Sequence, residues 1–152
     1  MPRLWAQTAI FESIKVGDQL PILVKWETRE TIERFIALAS TPFPDSTNQT
    51  SRPAAEEAEP EVVADVAAPP AALMTYVVEL LEKAFPLTSI MALGSRLELE
   101  PLSPLRPEDT ISLSGEVTGK REEEDRRLVE CEIIVENQNG HTVARAVAIV
   151  AW

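Results

Sequence analysis

The chain has 152 residues and carries 14 lysines and arginines against 25 aspartates and glutamates, so its formal net charge is −11. This length, with a composition that is 45% hydrophobic and 26% charged, is typical of one globular domain. The negative charge argues against nucleic acid or an anionic membrane surface as a partner, because both would be repelled. No run of about eighteen apolar residues predicts a membrane-spanning helix.

Cysteine and histidine each occur once, as Cys131 and His141. One cysteine excludes an internal disulfide and a thiolate metal cluster, and one histidine excludes a multi-histidine site, so no metal is predicted. Cys131 alternates with Val129 and Ile133, which predicts a core position for the thiol. The first eight residues lack the apolar core of a signal peptide, and we expect a cytoplasmic protein.

The composition changes between residues 41 and 70. These thirty residues hold six of the twelve prolines, six acidic residues and a single base, Arg52. Such a segment buries too little apolar surface to offset its ordering entropy. We therefore expect a mobile loop, either functional or a decayed insertion, within a single domain that spans residues 1–152.

Before this loop the sequence predicts one strand and one helix. The strand covers residues 20–26, with Pro21 at its start, and it follows a turn at residues 16–18. Thr28 is predicted to cap the helix, whose apolar residues recur at helical spacing. The helix should end before Pro42, because a residue that precedes proline disfavours helical geometry.

After the loop, residues 71–85 are predicted to form a second helix. Pro69 and Pro70 precede it, and Pro86 ends it. Up to Val78 this helix has almost no polar face, so other structure must enclose it almost completely.

The last third of the chain alternates apolar and polar residues, which predicts a succession of strands. These strands cover residues 96–100, 110–120, 129–136 and 142–152. We expect the last one at a central position, because it is apolar on both faces from residue 146 onward. A charged hairpin tip is predicted at residues 121–127 and an Asn-Gly turn at residues 137–140. The elements together predict an α+β domain, with an antiparallel sheet of about five strands around one buried helix.

This arrangement resembles the hot-dog fold, and three stretches are similar to the MaoC-like dehydratases, also called (R)-specific enoyl-thioester hydratases. The first stretch is residues 11–18 (FESIKVGD) with residues 26–28 (WET), similar to the family's opening, strand and helix cap. The second is residues 67–70 (AAPP), at the entry of the central helix. The third resembles the family's closing hairpins and comprises residues 105–110 (LRPEDT), 115–117 (GEV) and 136–140 (ENQNG).

The resemblance also implies a catalytic signature that this sequence does not reproduce. In the family the signature follows the first helix and reads Ser-Gly-Asp-x-Asn-Pro-x-His. Aligning its proline with Pro44 places Thr41 at the aspartate and Ser46 at the histidine. Hydration of an enoyl thioester needs a general base and a general acid, and hydroxyl groups that titrate far above neutral pH supply neither. The Asp/His dyad is therefore predicted to be absent, and His141 is expected to be an exposed turn residue.

Two features could still carry chemistry. In hot-dog enzymes the thioester carbonyl docks at the N-terminus of the central helix, and the resemblance assigns that role to the backbone N–H groups of Ala71 and Ala72. The alternative reading of residues 69–72 is a segment that only starts a helix with well-suited residues.

Asp45 and the other acids of the 41–70 loop could replace the dyad, since hot-dog thioesterases work with one carboxylate and water. The alternative for these acids is a solvated charge run.

The resemblance implies a hot-dog subunit that binds an acyl thioester of CoA or of acyl carrier protein, with no other cofactor. We expect a homodimer, or a heterodimer with another hot-dog subunit. Because the dyad is missing, the chain is expected to be a catalytically silent or partner-dependent dehydratase subunit. One alternative is an active enoyl-CoA hydratase or thioesterase that uses a displaced carboxylate. Another is a structural module whose acidic loop contacts a basic partner.

Overall fold

A computed structural model describes residues 3–40 and 67–152 of the chain. Thr41, Asp45, Ser46 and most of the predicted loop at residues 41–70 lie outside the described residues, so what the sequence predicts for them stays a prediction. Within the described residues no helix is long and apolar enough to cross a membrane.

The described residues form four helical segments and five strands. In chain order they are a 3₁₀ turn (Phe11–Ser13), β1 (Leu23–Trp26), α1 (Arg29–Ser40), α2 (Pro70–Ala84), α3 (Leu87–Ile90), β2 (Arg96–Pro101), β3 (Thr110–Glu123), β4 (Arg126–Glu136) and β5 (Thr142–Ala151).

The five strands form one antiparallel sheet in the order β1-β3-β4-β5-β2. The predicted antiparallel sheet is thus confirmed, and β5 has a neighbour on each side, although the middle strand is β4. The outer face of β5 is less enclosed than its sequence predicts, since Val147 is 40% exposed. The first strand is shorter than predicted. Before Leu23 the chain follows β3 through single hydrogen bonds, such as Leu20 N–H to the Gly115 carbonyl at 2.9 Å.

Helix α2 is the buried helix that the sequence predicts. Seven of its fifteen side chains are buried: Ala72, Leu73, Tyr76, Val77, Leu80, Leu81 and Ala84. They pack with the inward residues of the sheet, which alternate along β3, β4 and β5, as in the fully buried Leu113, Ile133 and Val135. The helix begins with Pro70 at its first position and ends where the Phe85 N–H donates to the Leu81 carbonyl. Burial of this apolar face is the main stabilising contribution to the domain.

Candidate functional site

The N-terminal turn of α2 leaves very few backbone donors available. Pro69 and Pro70 have no N–H group, and no side chain caps the helix. The Ala72 N–H donates to the Pro69 carbonyl at 2.9 Å, so this donor is already used within the chain. No described residue accepts a hydrogen bond from the N–H of Ala71, whose side chain is exposed. Ala71 is therefore the donor that remains at the positive end of a fifteen-residue helix dipole.

An apolar cavity of about 270 Å³ adjoins this turn. One wall comes from Ala67, Ala68, Pro70 and Leu73, and the other from residues 101–105, which run from the end of β2 into the connection to β3. The Ala68 N–H joins the two walls by donating to the Leu105 carbonyl at 2.8 Å. A space of this size and lining can take a short apolar group whose polar end lies near a backbone N–H.

A buried carboxyl and phenol lie between β1, α1 and the middle of α2. Glu27 follows β1 and is fully buried, and the Tyr76 hydroxyl on α2 donates to Glu27 Oε2 at 2.6 Å. Glu27 Oε1 is also buried and has no hydrogen-bond partner among the described residues. Burial raises the pKa of the Glu27 carboxyl, and this effect exceeds the opposing effects of the Tyr76 hydrogen bond and the Lys25 charge.

The surroundings of this pair hold Tyr76 in place. Lys25 Nζ forms a 2.9 Å ion pair with Glu79 and lies 5.5 Å from the centre of the Tyr76 ring. Phe35 of α1 packs edge-on against the same ring, with 6.1 Å between centroids. Burial and the hydrogen bond to Glu27 raise the pKa of the Tyr76 hydroxyl, so it remains a donor at neutral pH. The pair can hold a proton inside the fold, and its enclosure keeps bulk water away from it.

Comparison with known proteins identifies the fold. No protein-family model and no curated protein matches the sequence. A monoamine oxidase regulatory protein from Archaeoglobus matches with a TM-score of 0.69 and 22% identity over 98% of this chain and 94% of that chain. A MaoC-like dehydratase from Rhodospirillum rubrum matches with a TM-score of 0.65 and 22% identity, over 94% and 96%. An (R)-hydratase from A. caviae matches with a TM-score of 0.61 and 20% identity, over 91% of this chain and 97% of that chain. The chain has the hot-dog fold.

Some hot-dog neighbours were solved as complexes of two subunits. One is the ChsH1–ChsH2 complex, with a TM-score of 0.57 and 20% identity. Another is the HadBC complex, a 3R-hydroxyacyl-ACP dehydratase, with a TM-score of 0.59 and 14% identity. Both come from Mycobacterium tuberculosis. The structural matches confirm the predicted hot-dog fold. Because the sequence identities are 22% or lower, the fold is the property that these proteins share with the chain.

The structure places the other predicted residues as follows. His141 is exposed beside its turn, as expected, and its N–H donates to the Asn137 side chain at 3.0 Å. Cys131 is fully buried in the hot-dog core, as expected, and burial raises the pKa of its thiol to about 12. Among the described residues, no three side chains of the types that bind metals lie close enough to hold an ion. The thioester role predicted for Ala71 and Ala72 stays a prediction.

Sequence reasoning missed the Glu27–Tyr76 pair. Its members are 49 positions apart, and no local pattern records a contact at that distance. The sequence feature that could have predicted the pair was Tyr76, one of two polar residues in the otherwise apolar first half of α2. A tyrosine on the buried side of such a helix needs a hydrogen-bond partner, and a glutamate at the end of a strand can supply one.

Proposed function

We propose that the chain is a MaoC-like hot-dog subunit that binds a short acyl thioester at the N-terminus of α2. It acts beside a second hot-dog subunit that supplies the acid and base missing from this sequence. The observation that carries the proposal is the Ala71 N–H, which no described residue uses, in the same helical turn as Pro70 and Leu73, which line the apolar cavity. The shared fold with MaoC-like dehydratases and (R)-hydratases supports the choice of ligand class.

The chemistry of binding follows from the helix terminus. A thioester carbonyl that accepts a hydrogen bond from Ala71 lies at the positive end of α2, where negative charge on its oxygen is stabilised. The acyl group would extend between the two walls of the cavity, which include Leu73 on one side and Leu105 on the other. Water addition also requires a base that takes a proton from water and an acid that protonates the α-carbon. Hydroxyl groups at Thr41 and Ser46 cannot perform these steps unaided, which is why the proposal includes a partner.

The edge of the sheet at β2 supports a hot-dog partner. Strand β2 pairs with β5 on one side, and its other side faces no strand within the described residues. The segment that leads into β2 along the chain carries three exposed apolar side chains, Leu87, Met91 and Leu93. Exposed edges with neighbouring apolar surface favour pairing with another chain. Two antiparallel copies of β2 centred on Leu97 would place Arg96 of each copy opposite Glu98 of the other.

The activity of the isolated chain tests the proposal directly. Purified protein is titrated with crotonyl-CoA by calorimetry, and the incubated mixture is then examined by mass spectrometry. We expect saturable binding and unchanged substrate. A water adduct would instead establish an active hydratase, and free CoA would establish a thioesterase, in both cases with Asp45 as the first residue to replace. Absence of binding would leave only a structural module.

The partner surface requires a second experiment. Replacing Met91 and Leu93 by lysine should abolish self-association, or binding of a hot-dog partner, in sedimentation equilibrium. The matched control is Leu38→Lys, because Leu38 is 73% exposed, close to the 75% of Met91, and belongs to α1. Equal behaviour of the two variants would contradict the β2 edge as the interface.

A further inference from the structure

The outer face of the sheet, turned away from α2, carries an exposed apolar row at its β1 edge. Ile22, Val24 and Trp26 are 55%, 60% and 63% exposed. Leu23 and Lys25, which alternate with them, point inward to the core and to Glu79 of α2. Large apolar side chains this exposed, arranged in one row, are typical of an interaction surface.

Beside this row the sheet forms a groove. Ser112 of β3 lies opposite Val24, and Ser114 of β3 lies opposite Ile134 of β4. The two serines are small, so they form a low floor between the apolar row and Ile134. A cavity of about 320 Å³ opens at one end, between Ile22, Ser114 and Ile134. We call these six residues the outer groove: Ile22, Val24, Trp26, Ser112, Ser114 and Ile134.

The charges around the outer groove are mostly negative. Away from the β3–β4 turn, where Glu123 lies beside Arg121, outward positions of the sheet carry six glutamates: Glu98, Glu100, Glu116, Glu130, Glu132 and Glu136. The outward cations on these strands are Arg96, which is paired with Glu98 at 2.6 Å, Arg121 and Arg126 near the β3–β4 turn, and Arg145, which lies opposite Ile134. Arg3 lines one end of the groove, where its guanidinium donates to the Leu20 carbonyl at 3.0 Å. The rim formed by Glu116, Glu132 and Glu136 therefore attracts cations.

Charge decides between the occupants that this surface could take. A second copy placed face to face would bring six further glutamates against these six, and like charges at an interface are destabilising. A surface with lysine or arginine around an apolar centre is complementary to both features of the groove. Such an interface would join an apolar core to a charged rim, as protein interfaces commonly do.

We propose that the outer groove docks a segment of a partner protein that carries apolar side chains flanked by lysine or arginine. The apolar side chains of this segment pack against Trp26, Val24 and Ile22, and its cations face Glu116 and Glu132. The groove lies on the opposite face of the sheet from α2, and at the edge opposite β2. The segment can therefore bind whether or not the thioester site and the β2 edge are occupied.

A synthetic peptide provides a defined probe. An amphipathic peptide of leucine and lysine is titrated into the full chain, and methyl chemical shifts are followed by NMR. We expect shifts at Ile22, Val24 and Ile134, with an affinity that falls as salt is raised. The same peptide with glutamate in place of lysine should not bind. Shift changes at other surfaces, or equal binding of both peptides, would overturn the proposal.

Matched variants locate the contact. Trp26→Ser and Glu132→Lys should each weaken binding of the lysine peptide about tenfold or more, because aromatic anchors and nearby charges dominate such interfaces. The controls are Trp5→Ser, at a tryptophan that is 52% exposed outside the groove, and Glu82→Lys, at an exposed position on α2. Equal weakening in the controls would contradict the site. Groove shifts that depend on protein concentration alone would show a second copy there and would also overturn the proposal.

Discussion

Helix α2 has an open end and a closed middle, and the two regions are built differently. At the open end, Pro69 and Pro70 remove backbone donors, no side chain caps the helix, and Ala71 keeps an N–H that no described residue uses, in a turn whose Pro70 and Leu73 line an apolar cavity. In the closed middle, Tyr76 bonds to a fully buried Glu27.

The contrast assigns separate tasks to the two regions. A donor that the fold does not use can be given to a ligand without loss of internal hydrogen bonds. A buried polar pair, in contrast, penalises any movement that separates its members, so it fixes α1 and β1 against α2. We expect changes in the closed middle to affect stability and changes at the open end to affect binding.

The largest effect should come from the closed middle. Replacing Tyr76 by Phe leaves the buried Glu27 carboxyl without its hydrogen bond, and we expect the free energy of unfolding to fall by about 2 kcal/mol. Urea denaturation measures this change. Thioester affinity of the folded variant should remain as in the wild type, because Tyr76 does not line the cavity.

A double variant isolates the pair itself. When Glu27 is replaced by Leu in the Tyr76→Phe background, no buried carboxyl is left unpaired, so much of the lost stability should return. If the two substitutions instead lower the free energy of unfolding by independent, additive amounts, the hydrogen bond does not couple α2 to β1. Apolar packing alone would then hold the middle of α2 in place.

A smaller effect, confined to binding, is expected at the open end. Ala71→Pro removes the N–H that no described residue uses, in the first helical turn, where proline breaks no helical hydrogen bond, and we expect thioester affinity to fall about tenfold, measured by calorimetry with crotonyl-CoA. Ala71→Gly keeps the N–H and serves as the control. Unchanged affinity in Ala71→Pro would remove this group from the site, while a parallel loss of helix signal in circular dichroism would show that the substitution disrupted the turn.

The sequence predicted the open end better than the closed middle, for a physical reason. Prolines before an apolar run mark a helix start locally, and the alternation of Val129, Cys131 and Ile133 marks a strand with one buried face. The Glu27–Tyr76 contact depends on how distant elements pack, which no local period encodes.

The edge strand shows the same limit. Residues 20–26 read as a strand, yet the pattern does not say which face is covered. In the structure the charged Lys25 points inward to Glu79, while Trp26 is largely exposed. The outer groove therefore becomes visible only once the register with β3 is known.

The smallest effect expected is a pH dependence that arises in the closed middle. Burial raises the pKa of Glu27 above the ordinary value of a glutamate, so the folded chain holds this proton more tightly than the unfolded chain does. Its contribution to stability is fully present below the unfolded pKa and is lost as pH rises through the raised folded pKa. Glu27→Gln cannot ionise, so the wild type should lose stability relative to this variant over that interval.

Urea denaturation at a series of pH values measures this difference, and it must be compared with the replacement of an exposed glutamate, which α2 supplies. Glu82→Gln provides that comparison, since Glu82 is exposed and the difference between it and the wild type should not follow the same course. If the difference between wild type and Glu27→Gln stays constant with pH, Glu27 ionises in the folded chain as it does in the unfolded chain. Water would then reach the pair, and the middle of α2 would be no more closed than its N-terminus.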